Sequence, residues 1–198
     1  VNYVETLENC LDAIKKKRRR IDLPMIKTAH KALLEGVRGS GKNPGEFRKK
    51  QNYIVKGEGA YKKIIYTPPP PEKVIELLQN LAKFIQGSQK NVPTLIQCAI
   101  MHYQFEAIHP FGDGNGRIGR LLIPLILFEK DLLQQPLLYL SAYFDKNLES
   151  YYDGLMAVSQ KSKWREWIKF FLKAFAEQSD ETIKNIQRLL HLQKKYPT

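Results

Sequence analysis

Apolar positions along this chain recur mostly at intervals of three and four. Val4, Leu7, Leu11 and Ile14 predict an amphipathic helix over about 2–18. Asp22 is placed to cap a second helix, with Pro24 in its first turn, running to about Leu34. Four glycines and Pro44 between Gly36 and Gly45 then predict a loop. Two β-prone runs, Gln51–Val55 and Lys63–Thr67, flank Gly57 and Gly59 and read as a hairpin, which Pro68–Pro71 ends in an extended strap. Val74, Leu77, Leu78, Leu81, Phe84 and Ile85 mark a third helix, and Pro93 opens a fourth that runs to about Glu106. After a loop at 107–115, the stretch 116–129 is apolar on every face, as a buried central helix must be, and Pro124 inside it predicts a kink. Three more helices are expected at about 145–159, 164–177 and 179–194. The fold class is therefore mainly α: a helical bundle around one central buried helix, with one β-hairpin, as a single domain over 1–198.

Composition narrows this picture. A 198-residue chain with 43% apolar and 26% charged residues is long enough to bury its own core. No apolar run approaches membrane-spanning length, and the first segment is not a signal peptide. Two cysteines, Cys10 and Cys98, make neither a disulfide framework nor a cysteine zinc site and suit a reducing, cytoplasmic setting. The formal net charge of +12 favours anionic partners without choosing among them. The run Lys15–Arg20 closes the first helix, where cations face the negative end of the dipole, and is read as a solvated helix end.

Two glycine patterns are set aside. Gly36 to Lys42 nearly spells a phosphate-binding P-loop, but Asn43 stands where Ser or Thr is needed, and a helix rather than a strand precedes it. Gly114, Gly116 and Gly119 match a dinucleotide fingerprint with neither the preceding strand nor the acidic residue downstream.

Chemistry concentrates in His109 to Arg120. Gly112, Gly114 and Gly116 alternate with polar residues, so their N–H groups can form an anion nest that opens directly onto a helix N-terminus. Arg117 and Arg120 share a face of its first turns. Together these resemble a polyphosphate cradle. Asp113 inside it calls for a bridging cation, as Mg²⁺ is held by few carboxylates and several phosphate oxygens. His109 at the loop entrance can accept a proton from a hydroxyl. Singly, each of these residues has an ordinary structural reading; together at one helix start they point to a site.

His109-Pro-Phe-Gly-Asp-Gly-Asn-Gly-Arg-Ile-Gly-Arg120 matches every fixed position of HPFxDGNGRxxR, and on it the chain resembles Fic-domain proteins. Gly45–Arg48, the hairpin and Pro68–Pro71 resemble that family's flap region, and Asn147–Ala157 resembles the helix bordering the nucleotide base. The resemblance implies a protein adenylyltransferase that moves AMP from ATP to a Ser, Thr or Tyr hydroxyl of a target protein, or of itself, and releases pyrophosphate. It implies His109 as general base, Asp113 as the Mg²⁺ ligand, and Phe111, Gly112, Gly114, Asn115, Gly116, Arg117, Ile118, Gly119 and Arg120 as the ATP and phosphate site. It assigns Tyr151 and Tyr152 to the base pocket. Asn52, Tyr53, Ile54 and Val55, in a flap over about 52–66, would dock an extended target segment by strand addition.

Some partners also follow only from the resemblance: a homodimer, and nucleic acid through a downstream winged-helix domain outside this chain. No stretch carries the family's inhibitory [S/T]-x-x-x-E-[G/N] pattern; Glu8-Asn9, Glu35-Gly36 and Glu58-Gly59 each lack the hydroxyl residue four positions before the Glu. The resemblance thus places an inhibitory helix upstream and implies a derepressed fragment. Alternatives are AMP removal, transfer of another nucleotide or phosphorylation; Gly116 stands where the family's kinases carry Lys. A basic nucleic-acid-binding module is a further alternative, without a helix-turn-helix, zinc or RNP signature to support it.

Overall fold

The computed structural model describes residues 2–57, 59–87, 92–135 and 138–196. Val1, Glu58 in the expected flap and Thr198 lie outside the described residues. The described residues divide into two compact units, one within 1–134 and one within 135–198.

The first unit holds α1 (Asn2–Lys17), α2 (Leu23–Leu33), strands β1 (Ile54–Lys56) and β2 (Lys63–Tyr66), α3 (Pro71–Gln86), α4 (Thr94–Ile108) and α5 (Asn115–Glu129). Asp22 caps α2 by accepting a hydrogen bond from the Met25 N–H at 2.8 Å, and Pro24 lies in its first turn, as the sequence predicts. α5 is the central element. Ile118, Leu121, Ile123, Ile126 and Leu127 are all fully buried, and the helix packs against α4, α1 and α2. Pro124 sits inside it, and the helix runs on to Glu129. α3 closes the other side of α4 with Val74, Leu78 and Ile85.

β1 and β2 pair antiparallel, Val55 with Ile64 and Lys56 with Lys63, with an irregularity between Ile54 and Val55. The hairpin and its proline strap are tied to the end of α4. The Tyr66 hydroxyl donates to the Ala107 carbonyl at 3.0 Å, and Gln51 Nε2 donates to the Pro68 carbonyl at 2.9 Å. Tyr53, Val55, Tyr61 and Ile64 are exposed on it.

The second unit holds α6 (Leu140–Lys146), α7 (Leu148–Lys161) and α8 (Trp164–Lys195). Phe144, Tyr151, Trp167 and Phe171 are its buried aromatic core, with Phe170 stacked on Phe144 and Trp167. Two features differ from the sequence expectation. α6 is an additional short helix, too brief to show a period. And α8 is one helix of 32 residues, not two, because no proline or glycine interrupts it. No described helix is long and apolar enough to cross a membrane.

Candidate active site

The twelve residues 109–120 turn the chain from α4 into α5, and each end of the turn has a physical cause. His109 closes α4 in the left-handed region (φ 49°, ψ 59°), its N–H still bonded to the Phe105 carbonyl. A non-glycine residue there is strained and must be held by its surroundings. Arg48 does the holding. Its Nε donates to the His109 carbonyl at 2.9 Å, its Nη2 donates to the Ile108 and Pro69 carbonyls, and its N–H donates to the Pro110 carbonyl at 2.8 Å. Asn52 Nδ2 adds donations to the His109 and Phe111 carbonyls at 3.4 and 3.3 Å. Asn52, expected at the docking edge, secures the loop at His109 and Phe111; Tyr53 and Val55 are exposed.

At the far end Gly114 caps α5 with φ +80°, a conformation a side chain would strain; a Cβ there would also lie 3.2 Å from His30 Nε2. Asn115 is buried and clasps the loop: its Oδ1 accepts from the Phe111 N–H and its Nδ2 donates to the Phe111 carbonyl, both at 2.9 Å. The Asn115 side chain is thus spent on the loop.

His30 on α2 was not singled out by the sequence, where one histidine in an amphipathic helix carries no signal. It is fully buried and stacks flat on Phe111, centroids 3.7 Å apart. Its Nδ1 accepts from the Gly45 N–H at 2.8 Å, which leaves Nε2 to donate to the Asp113 carbonyl at 2.9 Å. Burial holds its pKa below the ordinary histidine value, in keeping with that neutral tautomer.

The candidate reactive groups are arranged on this scaffold. His109 Nδ1 lies 3.3 Å from the Glu106 carbonyl; donation there leaves Nε2 as the free, basic nitrogen. Burial lowers the His109 pKa, so the ring is neutral and able to take a proton at physiological pH. Asp113 and Arg117 meet one helical turn apart, Oδ1 to Nη2 at 3.3 Å, and Oδ1 also accepts the Gly114 N–H at 2.6 Å. The Arg120 guanidinium lies over Gly116: a Cβ on Gly116 would meet its Nη1 at 3.1 Å. Ile118 is fully buried, and Gly119 faces α4, where a Cβ would sit 2.5 Å from Glu106 Oε1 and 3.2 Å from the His102 ring. Glu106 Oε1 is buried without a hydrogen-bond partner, and desolvation raises the carboxyl pKa to about 7, against the pull of Arg120. Tyr151 is buried in the second unit between Phe144, Trp167 and Tyr152, and Tyr152 is half exposed.

No group of three or more His, Cys, Asp or Glu side chains converges on a cation position among the described residues. A lone Asp113 beside an anion nest fits the other mode of Mg²⁺ binding, one carboxylate supplemented by substrate phosphates.

Comparisons with known proteins show what the chain is similar to. The family model described as the Fic/DOC family matches residues 20–127. A probable protein adenylyltransferase of Aquifex aeolicus is 33% identical over 101 residues, which is 51% of this chain and 31% of that protein. A protein adenylyltransferase of Caenorhabditis briggsae is 31% identical over 120 residues, 60% of this chain and 21% of that one. The chain thus spans a third or less of these relatives. The crystal structure of a Fic family protein from Desulfovibrio desulfuricans superposes with a TM-score of 0.71 at 26% identity, covering 92% of this chain and 53% of that one.

Proposed function

The chain belongs to the Fic/DOC family, and from that premise we propose that it transfers AMP from ATP to a Ser, Thr or Tyr hydroxyl of a target protein. One observation carries the reading above the others. A neutral, tautomer-fixed His109 and the Asp113–Arg117 pair flank a glycine-rich turn at the N-terminus of the central helix.

Each part has a task in that reaction. The N–H groups of Asn115 and Gly116 and the positive end of α5 receive the phosphates, while the Gly114 N–H is given to Asp113. Arg117 and Arg120 neutralise the outer ones. Mg²⁺, held by Asp113 and the phosphates, would supply further charge neutralisation. His109 Nε2 takes the proton of the target hydroxyl as its oxygen attacks the α-phosphorus. The bond from that phosphorus to the bridging oxygen breaks, and pyrophosphate leaves. Positioning and electrostatics account for most of the catalysis in such transfers, and a loop held by His30, Arg48, Asn52 and Asn115 supplies both. The exposed edge at Tyr53 and Val55 offers an extended target segment a strand to pair with.

The test is incubation with Mg²⁺ and ATP labelled on the α- or the γ-phosphate, alone and with a cell lysate, beside His109→Ala. Label reaching protein from the α position only, and lost in His109→Ala while ATP binding persists, is the expected result. Label from the γ position only would replace AMP transfer with phosphorylation.

A further inference from the structure

The loop at 36–45, whose near-P-loop spelling led nowhere as a motif, lies against the phosphate end of the site. It leaves α2 and returns to it, because the Gly45 N–H donates to His30 on that helix. Two turns shape its middle, with Ser40 N–H donating to the Val37 carbonyl at 3.1 Å and Lys42 N–H to the Gly39 carbonyl at 2.9 Å. It meets the active-site loop at successive points. Gly39 (φ +98°) packs against Asp113 and Leu34: a Cβ there would lie 3.2 Å from Asp113 Cβ and Cγ and from Leu34 Cδ2. A Cβ on Gly112 would likewise touch Lys42, at 3.6 Å from its carbonyl oxygen. Arg117 Nη2 donates to the Arg38 carbonyl at 2.9 Å, and Arg38 Nε lies 3.9 Å from Asp113 Oδ2.

Arg38 is therefore delivered to the two side chains given to metal and phosphate, yet its own side chain is 91% exposed and supports nothing in the core. A guanidinium whose backbone is held beside the Asp113–Arg117 pair is suited to a phosphate that lies beyond the glycine-rich turn itself. Resting on the adenylyltransferase reading, we propose that Arg38 binds the terminal phosphates of ATP as a third arginine of the site, outside the motif.

Binding of AMP, ADP and ATP with Mg²⁺ tests this in the His109→Ala background, where no turnover intervenes. Arg38→Ala is expected to weaken ATP about tenfold while AMP is unaffected, with much of the loss recovered in Arg38→Lys and the difference shrinking in high salt. The exposed side chain makes an unchanged Tm the accompanying expectation. Equal losses for AMP and ATP, or no loss for either, would overturn the assignment to Arg38 and leave the adenylyltransferase reading standing. Failure of the Arg38-containing protein to bind any of the three would overturn that reading, and this assignment with it.

Discussion

Glu106 and His102 sit one turn apart on α4, against Gly119 of α5, and their titrations pull stability in opposite directions. Burial raises Glu106 from 4.5 to about 7, so between those values the folded protein keeps a proton that the unfolded chain releases, and stability falls as pH rises. Above pH 7 the cost is constant at roughly 3 kcal/mol. Burial lowers His102 from 6.5 to about 4, so there the unfolded chain binds the extra proton and stability rises across pH 4–6.5. Glu106→Gln removes only the falling limb. Its Tm advantage over the parent is expected to grow from pH 4.5 to 7 and then level; an advantage independent of pH would refute a buried carboxyl at this position. The sequence could not reveal this pair, since both residues sit in a helix with no clear polar face. His30 and Arg48 were equally illegible as site residues. Their importance comes from carbonyls and N–H groups more than 14 positions away in the chain, and no spacing rule encodes such partners.

At the scale of elements, periodicity worked where a segment had one apolar face. α1 and α3 appear where Val4–Ile14 and Val74–Ile85 predict them, α2 where its Asp22 cap and Pro24 place it, and α5 appears as the all-apolar central helix. It failed at α6, which is too short, and at the middle of α8, where a polar stretch resembles a break although nothing in it stops a helix. Residues up to Gln178 pack through Trp167, Phe171 and Ala174, whereas Ile183, Ile186, Leu189, Leu190 and Leu192 are exposed. A helical segment without tertiary packing is marginal in water. Amides over 184–195 are accordingly expected to exchange with deuterium far faster than those over 166–178. Equal protection of both halves would mean that the outer half is covered in solution, by a second copy or another protein.

For the molecule as a whole, the charge of +12 acts through its field rather than through any one pair. An acidic target peptide is expected to be modified faster than a basic one of equal length at low ionic strength, with the gap closing toward 0.5 M salt, about one-half of the concentration at which the Debye length falls to ~3 Å. A salt-independent ratio would assign target choice to the flap alone. By itself the sequence determined the helical class, the central helix and the identity of the motif, because these depend on local period and on residues contiguous in the chain. It also offered His109, Asp113, Arg117 and Arg120 as candidates for the reactive set. Only the tertiary structure decided what fixes them: the tautomer of His109, the clasp of Asn115 on Phe111, the His30 and Arg48 anchors, and the approach of Arg38 to Asp113. The physical reason is the same in each case. These are hydrogen bonds and close contacts that form when distant segments pack, and their geometry depends on the fold rather than on any local pattern.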